Sequence, residues 1–349
     1  MLEPGTRVKL ETVFWLASVG LVAMLLAVLV WCLWRWQATV HRRAAGAPVR
    51  LGAQVEGRSA TLPVELSELG GCRIERQLGR GAMGVVYLGR ELDSGRQVAL
   101  KTMALASEFD EDALADARNR FFREAETASR LHHPGTVRVF GSGEDHDLAW
   151  IAMEFLPGQP LTEWTRPDTL LPLPEALAVV RQAALALDYA HRQQVVHRDI
   201  KPANLMYDPG TRKVKLTDFG VARLTDSNRT RTGLVLGTPA FMSPEQLAGA
   251  RIDARSDLFS LGVTLYQLTT GQLPFTAKSL GELMYAITHH SPLDPRIANP
   301  RLPAALAAII MKALQKETAA RFQTGAQFAL ALARLEVALK GNKPHAKPT

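Results

Sequence analysis

The chain has 349 residues, 47% hydrophobic and 21% charged, which excludes both a disordered protein and one embedded throughout in a membrane. Its two cysteines exclude a disulfide framework and indicate a reducing compartment for the folded part. Most of the net charge of +7 lies at the two ends, so the balanced body excludes a basic nucleic-acid-binding surface. The terminal excess fits either attraction to an anionic membrane or ordinary solubilising charge.

Residues 12–34 contain no charged side chain and predict a single transmembrane helix. A helix of this length spans about 35 Å, enough for a hydrocarbon core of about 30 Å. Tryptophans lie near both of its ends, as in an aromatic belt. A buried core helix would normally have a polar face, and a cleaved signal peptide would have a shorter apolar run and a small-residue cleavage site.

The charges that flank this segment predict its orientation. Arg7 and Lys9 precede it, together with two glutamates, whereas Arg35 and three further arginines follow within sixteen residues. The positive-inside rule therefore places residues 1–11 outside the cell membrane and the rest of the chain in the cytoplasm. Residues 35–71, rich in Ala, Gly, Arg and Pro, are predicted to be a juxtamembrane linker.

Three glycines, Gly79, Gly81 and Gly84, follow Leu78 in the spacing of a phosphate-binding turn. β-forming residues lie on both sides, and a second strand is predicted over residues 97–101. The pattern therefore predicts a strand–turn–strand hairpin and not the strand–turn–helix unit of a dinucleotide-binding fold. Glycine leaves backbone N–H groups open to phosphate oxygens, so we expect the hairpin to cover nucleotide phosphates.

Lys101 ends the second of these strands, where a cation next to apolar residues needs a partner. The expected partners are phosphate oxygens and a glutamate of the helix predicted over residues 112–131; an exposed strand-end lysine is the alternative. Glu124 and Glu126 lie about 200° apart around such a helix, so one of them can face Lys101. We favour Glu124 and expect Glu126 to be solvated.

Two polar motifs lie close together in the second half of the chain, VVHRDIKPANLM at 195–206 and VKLTDFG at 214–220. Within them, Asp199 supplies a carboxylate for an attacking hydroxyl and Lys201 supplies a positive charge. Asn204 and Asp218 supply hard oxygen ligands for Mg²⁺ or Mn²⁺. The combination predicts phosphoryl transfer from a metal-bound nucleotide.

With these motifs the chain resembles the eukaryotic-type Ser/Thr protein kinases of bacteria over residues 73–337. The resemblance implies an α+β, bilobal protein-kinase fold, preceded by the single transmembrane helix. Within the expected kinase domain, 72–337, residues 72–156 form a small lobe with an antiparallel sheet, one main helix and the hinge. Residues 157–337 form a larger helical lobe, and 338–349 are a basic tail.

The resemblance also implies roles for individual side chains. Asp199 is expected to be the catalytic base, Lys201 to contact the γ-phosphate and Lys101 the α- and β-phosphates, with Asn204 and Asp218 as metal ligands. Met153 resembles the gatekeeper at the start of the hinge. The residues expected to contact ATP are Leu78, Gly79, Gly81, Gly84, Val86, Ala99, Lys101, Glu124, Met153, Glu154, Leu156 and Asn204.

The segment GTPAFMSPE, residues 237–245, resembles the end of a kinase activation segment, with Ser243 in place of the family's usual alanine. The resemblance implies an ion pair between Glu245 and Arg321. It also implies that Asp257 braces the catalytic loop, that Phe219 packs under the helix carrying Glu124, and that Thr238 lies near the substrate hydroxyl.

Arg198 precedes the expected base directly, and a cation there favours the approach of an anion, such as a phosphorylated activation segment. Thr230 and Thr232 lie among arginines and resemble the paired threonines of related bacterial kinases. We therefore predict autophosphorylation at these threonines, between two copies of the chain in a homodimer. The alternative is an ordinary polar loop.

Taken together, these features predict a membrane-anchored Ser/Thr protein kinase that acts on protein substrates with ATP and a divalent metal, in the inner membrane. Two other classes of protein are the alternatives to this prediction. A pseudokinase scaffold usually lacks the strand lysine, the base or a metal ligand, and Lys101, Asp199, Asn204 and Asp218 are all present. A small-molecule phosphotransferase would not be expected to keep the segment 237–245, which docks a polypeptide.

Overall fold

The computed structural model describes residues 67–81, 84–104, 111–145, 148–219 and 239–341. All of them belong to one compact unit, Pro63–Thr349. Among them, no helix combines the length and the apolar character needed to cross a membrane. The predicted membrane helix, 12–34, lies outside the described residues.

A six-stranded antiparallel sheet forms the first part of the unit. The predicted strand–turn–strand hairpin is present, with Gly81 paired to Gly84 and Val86 opposite Gly79. The strands are β1 (Glu68–Leu69), β2 (Cys72–Gly81), β3 (Gly84–Glu91), β4 (Gln97–Met103), β5 (Val139–Asp145) and β6 (Leu148–Glu154). Their spatial order is β1-β2-β3-β4-β6-β5.

Gly84, at the start of β3, lies against the backbone of the neighbouring strand, β4. Its φ is +119°, and a Cβ there would lie 1.8 Å from the carbonyl oxygen of Thr102 in β4. An L side chain is excluded at this position by both the backbone conformation and the space. The glycine therefore lets the hairpin lie directly on β4, next to Lys101.

Helix α1 (Glu111–Ser129) covers one face of this sheet and spans nearly the range that the sequence predicts. Phe121 and Ala125, one turn apart, pack with Met103, Ala149 and Ile151 in a buried cluster. A second cluster covers the opposite face. Because both faces are covered, six consecutive residues of β4 are buried, including the lysine at position 101.

The second part is helical and is built around one helix, Ala254–Thr270, whose residues are buried almost all round. This helix is capped by Asp253 at its start and ends at Gly271 with φ +72°. The helices are α2 (Leu173–Arg192), α3 (Pro244–Leu247), α4 (Ala254–Thr270), α5 (Leu280–His289), α6 (Pro295–Ala298), α7 (Ala304–Ala313) and α8 (Gly325–Gly341).

A small antiparallel sheet lies at the edge of the helical part and carries the expected catalytic motifs. It contains β7 (Gln159–Pro160), β8 (Leu205–Asp208) and β9 (Lys213–Leu216), in that order. Residues 193–204 join α2 to β8, and Thr217 and Asp218 follow β9 directly. The short sheet thereby brings the two linear motifs side by side.

Candidate active site

The loop that carries Asp199 is held by hydrogen bonds to a buried carboxylate of α4. Asp257, 1% exposed in α4, accepts hydrogen bonds from the backbone N–H groups of His197 (2.8 Å) and Arg198 (2.7 Å). Its Oδ2 also lies 2.7 Å from Nε2 of His191. Burial alone would raise the pKa of Asp257, but the His191 hydrogen bond and the neighbouring charges outweigh it and hold that pKa below the usual range. Asp257 therefore fixes the loop backbone, as the family resemblance implies.

Two residues of this site have backbone angles that are uncommon outside glycine. Arg198 has φ +68° and Asp218 has φ +59°. Such conformations cost free energy and persist where the surrounding contacts enforce them, which is typical of functional sites. The angle at Arg198 sets the direction of the backbone that continues into Asp199, and the angle at Asp218 sets the direction of its own side chain.

Asp199 is the centre of one hydrogen-bonded group. The ammonium of Lys201 lies 3.0 Å from its Oδ1 and 2.8 Å from its Oδ2. Nδ2 of Asn204 donates to the Asp199 backbone oxygen at 2.7 Å and to its Oδ2 at 2.9 Å. Because the amide donates through nitrogen, its oxygen is the atom that can ligate a metal. The group thus holds a carboxylate, a cation and a hard oxygen ligand within one loop.

Lys101 of β4 and Asp218, which follows β9, form a second group that joins the two parts of the domain. The Lys101 side chain is buried, and its ammonium forms an ion pair with Oδ1 of Asp218. Burial alone would raise the pKa of Asp218, but Lys101, His197 and Lys201 together hold that pKa below its usual range. The carboxylate is therefore ionised at neutral pH and able to bind a metal ion.

The two groups lie next to each other. The backbone oxygen of Asn204 accepts a hydrogen bond of 3.0 Å from the N–H of Thr217, the residue before Asp218. Two carboxylate or amide ligands plus nucleotide phosphates are a common donor set for Mg²⁺. The described residues contain no cluster of three or more His, Cys, Asp or Glu that could hold a metal without such help. The donor set therefore fits a nucleotide-bound Mg²⁺ or Mn²⁺.

The helix glutamate predicted for Lys101 is only partly described. Glu124 lies in α1, but its side chain is outside the described residues, so its pairing with Lys101 stays a prediction. Glu126 is exposed and accepts a hydrogen bond of 2.6 Å from Arg130, as expected for the solvated alternative. Among the described side chains, the ion-pair partner of Lys101 is Asp218.

The other residues expected around ATP lie on β2, β3, β4 and β6, or just after β6. Register places Val86 opposite Lys101 and Ala99 opposite Met153. Leu78 and Leu156 are half-buried. Met153 lines a cavity behind Lys101 together with residues of α1, Asp218 and Phe219. Phe219 is buried there, under α1 as the resemblance implies, and its ring centroid lies 4.6 Å from that of His197.

Glu154, next to Met153, joins the expected hinge to the small antiparallel sheet through its side chain. Both of its carboxylate oxygens accept hydrogen bonds from Lys215 of β9, at 2.7 and 2.6 Å. Its side chain is thus occupied by an ion pair between the two parts of the domain. Any contact of Glu154 with adenine is left to its backbone.

The end of the predicted activation segment is anchored by a buried ion pair. Arg321, whose side chain is 0% exposed, donates to Glu245 from Nη1 at 2.7 Å and from Nη2 at 2.8 Å. Ser256 adds a hydrogen bond of 2.6 Å to the same carboxylate. This is the pair that the resemblance implies. Thr230, Thr232 and Thr238 lie outside the described residues.

The sequence reasoning missed Gln246, which contacts both Ser243 and the catalytic loop. A signal was available, because Ser243 and Gln246 have the S-x-x-Q spacing of a capping box at a helix start. It also missed His191 and the ion pair between Glu154 and Lys215, for which no local motif exists.

Comparison with known proteins agrees with this geometry. Residues 72–329 match the protein kinase domain family. The chain is 43% identical over 274 residues to serine/threonine-protein kinase PknJ of Mycobacterium tuberculosis, covering 76% of this chain and 46% of that protein. It is 37% identical over 276 residues to PknB of the same species, covering 77% and 43%. The chain thus spans about half the length of the curated relatives that it matches.

Two solved structures are similar in fold. The crystal structure of the M. tuberculosis PknI kinase domain has a TM-score of 0.61 and 33% identity, covering 76% of this chain and 97% of that one. The structure of Rad53 in complex with AMP-PNP has a TM-score of 0.62 and 26% identity, covering 76% and 65%. The chain therefore belongs to the bacterial eukaryotic-type Ser/Thr protein kinase family, with a bilobal protein kinase domain.

Proposed function

We propose that the chain is an active protein kinase that transfers the γ-phosphate of ATP to Ser and Thr hydroxyls of protein substrates. The observation that carries the proposal is the convergence of Lys101, Asp199, Asn204 and Asp218 in one site, although Lys101 and Asp218 are 117 positions apart. The names of PknJ and PknB, and the ATP analogue AMP-PNP bound to Rad53, support the same activity.

In this proposal each side chain acts where its charge is needed. The Asp199 carboxylate accepts the hydrogen bond of the substrate hydroxyl and orients it toward the γ-phosphate, while the nearby Lys201 ammonium contacts the transferring group. Lys101, paired with Asp218, is placed to bind the α- and β-phosphates beside the glycine hairpin. Mg²⁺, when bound, neutralises phosphate charge, and Asp218 and Asn204 would hold it.

Phosphate transfer by the full-length chain tests this function. With radiolabelled ATP and a generic protein substrate, the wild type should label protein, whereas Asp199→Asn and Lys101→Met should lose activity by about 100-fold or more. Asp93→Asn and Lys213→Met make the same changes at exposed positions and should keep it. Label that appears only in small molecules would favour a small-molecule phosphotransferase. No transfer above the Asp199→Asn background would favour a pseudokinase.

We also propose that residues 12–34 anchor the chain in the inner membrane, with residues 1–11 outside. The charge-free run, its terminal tryptophans and the arginines after it support this topology. The full-length protein should resist carbonate extraction from membranes, and a Leu25→Arg/Val28→Arg double variant should be extracted. Wild-type protein recovered in the soluble fraction would contradict the anchor.

Activation by autophosphorylation of Thr230 and Thr232 is proposed from their arginine-rich surroundings and from Arg198 beside Asp199. We expect phosphate on these threonines after incubation with ATP, at a rate that rises with protein concentration because two copies react. Mass spectrometry of the peptides, and assay of a Thr230→Ala/Thr232→Ala variant, test it. Undiminished activity in that variant would refute it, and a concentration-independent rate would refute a reaction between separate copies.

A further inference from the structure

Gln246, in the short helix α3, connects the end of the activation segment to the catalytic loop. Its amide oxygen accepts hydrogen bonds from the backbone N–H of Ser243 at 3.0 Å and from the Ser243 hydroxyl at 3.1 Å. Its amide nitrogen donates to the backbone oxygen of Arg198 at 2.7 Å. Because the oxygen side faces two donors and the nitrogen side faces a carbonyl, one orientation of the amide satisfies all three contacts.

Ser243 makes this contact rigid. It is fully buried, and its hydroxyl also accepts the N–H of Gln246 at 3.4 Å, which closes a reciprocal capping box at the helix start. The glutamine side chain is therefore held at its oxygen end by the activation segment. The alanine usual in the family at position 243 would lack the hydroxyl half of this box.

The other end of Gln246 acts at a strained peptide. Arg198 is in the left-handed region, at φ +68°. Its N–H is held by Asp257 at 2.7 Å, and its carbonyl is held by Gln246 at 2.7 Å. A strained residue persists where its surroundings fix it on both sides. The peptide group containing this carbonyl also contains the nitrogen of Asp199, so fixing it fixes the backbone that leads into the Asp199 side chain.

We propose that Gln246 is a positioning residue for Asp199: its amide nitrogen holds the Arg198 carbonyl, while its amide oxygen locks it to Ser243. The segment that leads into Ser243 and the backbone of Asp199 then form one hydrogen-bonded unit. This role rests on the proposed kinase activity. A rival explanation is that Gln246 acts merely as the cap of α3 and serves stability alone.

Gln246→Glu separates these explanations, because glutamate keeps the acceptor for Ser243 and replaces the donor to Arg198 by an oxygen. We expect the full-length Gln246→Glu variant to fold and to keep its KM for ATP within about twofold of the wild type, while kcat falls about 10- to 100-fold. Gln246→Met keeps the size but loses both contacts, and should lower both kcat and the thermal midpoint.

Two further variants complete the comparison. Gln327→Glu is the matched control, because Gln327 also accepts a backbone N–H through its oxygen, at 3.0 Å from Gln323, on an exposed turn of α8. It should match the wild type in every parameter. Ser243→Ala keeps the donor of Gln246 and should lower the thermal midpoint more than kcat.

The outcomes are distinct. Wild-type kcat in a folded Gln246→Glu protein overturns the proposal and leaves the kinase activity standing. If Gln246→Glu and Ser243→Ala lose the same amount of kcat and the same amount of thermal midpoint as each other, the proposal is also overturned, and Gln246 acts as the cap of α3 alone. If Gln246→Glu does not fold, wild-type kcat in Gln246→Met overturns the proposal. A wild type with no transfer above Asp199→Asn refutes the kinase activity, and the positioning role with it.

Discussion

Replacing Glu245 by glutamine should destabilise the domain strongly, because it leaves a buried guanidinium without its anion. Arg321 is fully buried and donates to both carboxylate oxygens, at 2.7 and 2.8 Å, as well as to three backbone carbonyls. Removing one partner of such a pair costs about 3 to 5 kcal/mol. For a domain of this size that corresponds to a fall of about 6 to 20 °C in the unfolding midpoint.

Thermal unfolding followed by circular dichroism measures this effect. Glu126→Gln, in the exposed pair with Arg130, is the matched control and should move the midpoint by no more than about 2 °C. The double variant Glu245→Gln/Arg321→Met should be less destabilised than the sum of the two single variants, because the second change removes the stranded charge. A midpoint of Glu245→Gln within about 2 °C of the wild type would refute the argument.

The same pair predicts a pH dependence. Burial alone would raise the pKa of Glu245, but Arg321 and Ser256 outweigh it and lower that pKa below its ordinary 4.5. The stabilisation is therefore fully present above pH 4.5 and is lost as the pH falls through the lowered pKa. Glu245→Gln should lack this part of the acid sensitivity. If the wild type and Glu245→Gln lose the same free energy of unfolding between neutral and acid pH, this prediction is contradicted.

Three further predictions concern other sites. Asp218→Asn should lower kcat by about 100-fold or more, because the site loses a metal ligand and the partner of Lys101; kinetics across Mg²⁺ concentrations test it. Burial lowers the pKa of Lys316 to about 8. The charged lysine therefore lowers the free energy of unfolding below pH 8, and this loss is relieved as the pH rises toward 10.5. Denaturation between pH 7 and 10.5 should show a stability gain that Lys316→Met lacks. Gly84→Val should raise the KM for ATP by about tenfold or more, since its Cβ would clash with Thr102 and displace the hairpin; an unchanged KM would contradict this.

Much of the site could be read from linear motifs. The spacing of Asp199, Lys201 and Asn204 places them in one loop, so their contacts of 2.7 to 3.0 Å follow from local geometry. The glycine pattern predicted the hairpin because turns and strand pairing depend on neighbouring residues. The helix over residues 111–129 was predicted to within a few residues for the same reason.

Linear motifs do not predict contacts between distant segments, so such a contact could be predicted only where the family resemblance implies it. The ion pair between Glu245 and Arg321 was expected in this way. The ion pair between Lys101 and Asp218 was not predicted, because the partners expected for Lys101 were phosphate oxygens and Glu124. The pairing of Glu154 with Lys215 could not be predicted either, because side-chain direction at a sheet edge depends on what packs beside it.

The sequence by itself determined the candidate reacting groups, the glycine hairpin and the charge-free segment at residues 12–34, because each of these depends on residue type and short spacing. Only the tertiary structure decided that Gln246 reaches 48 positions back to the carbonyl of Arg198. That contact requires α3 to lie against the catalytic loop, and the packing of the whole helical part around α4 decides this placement.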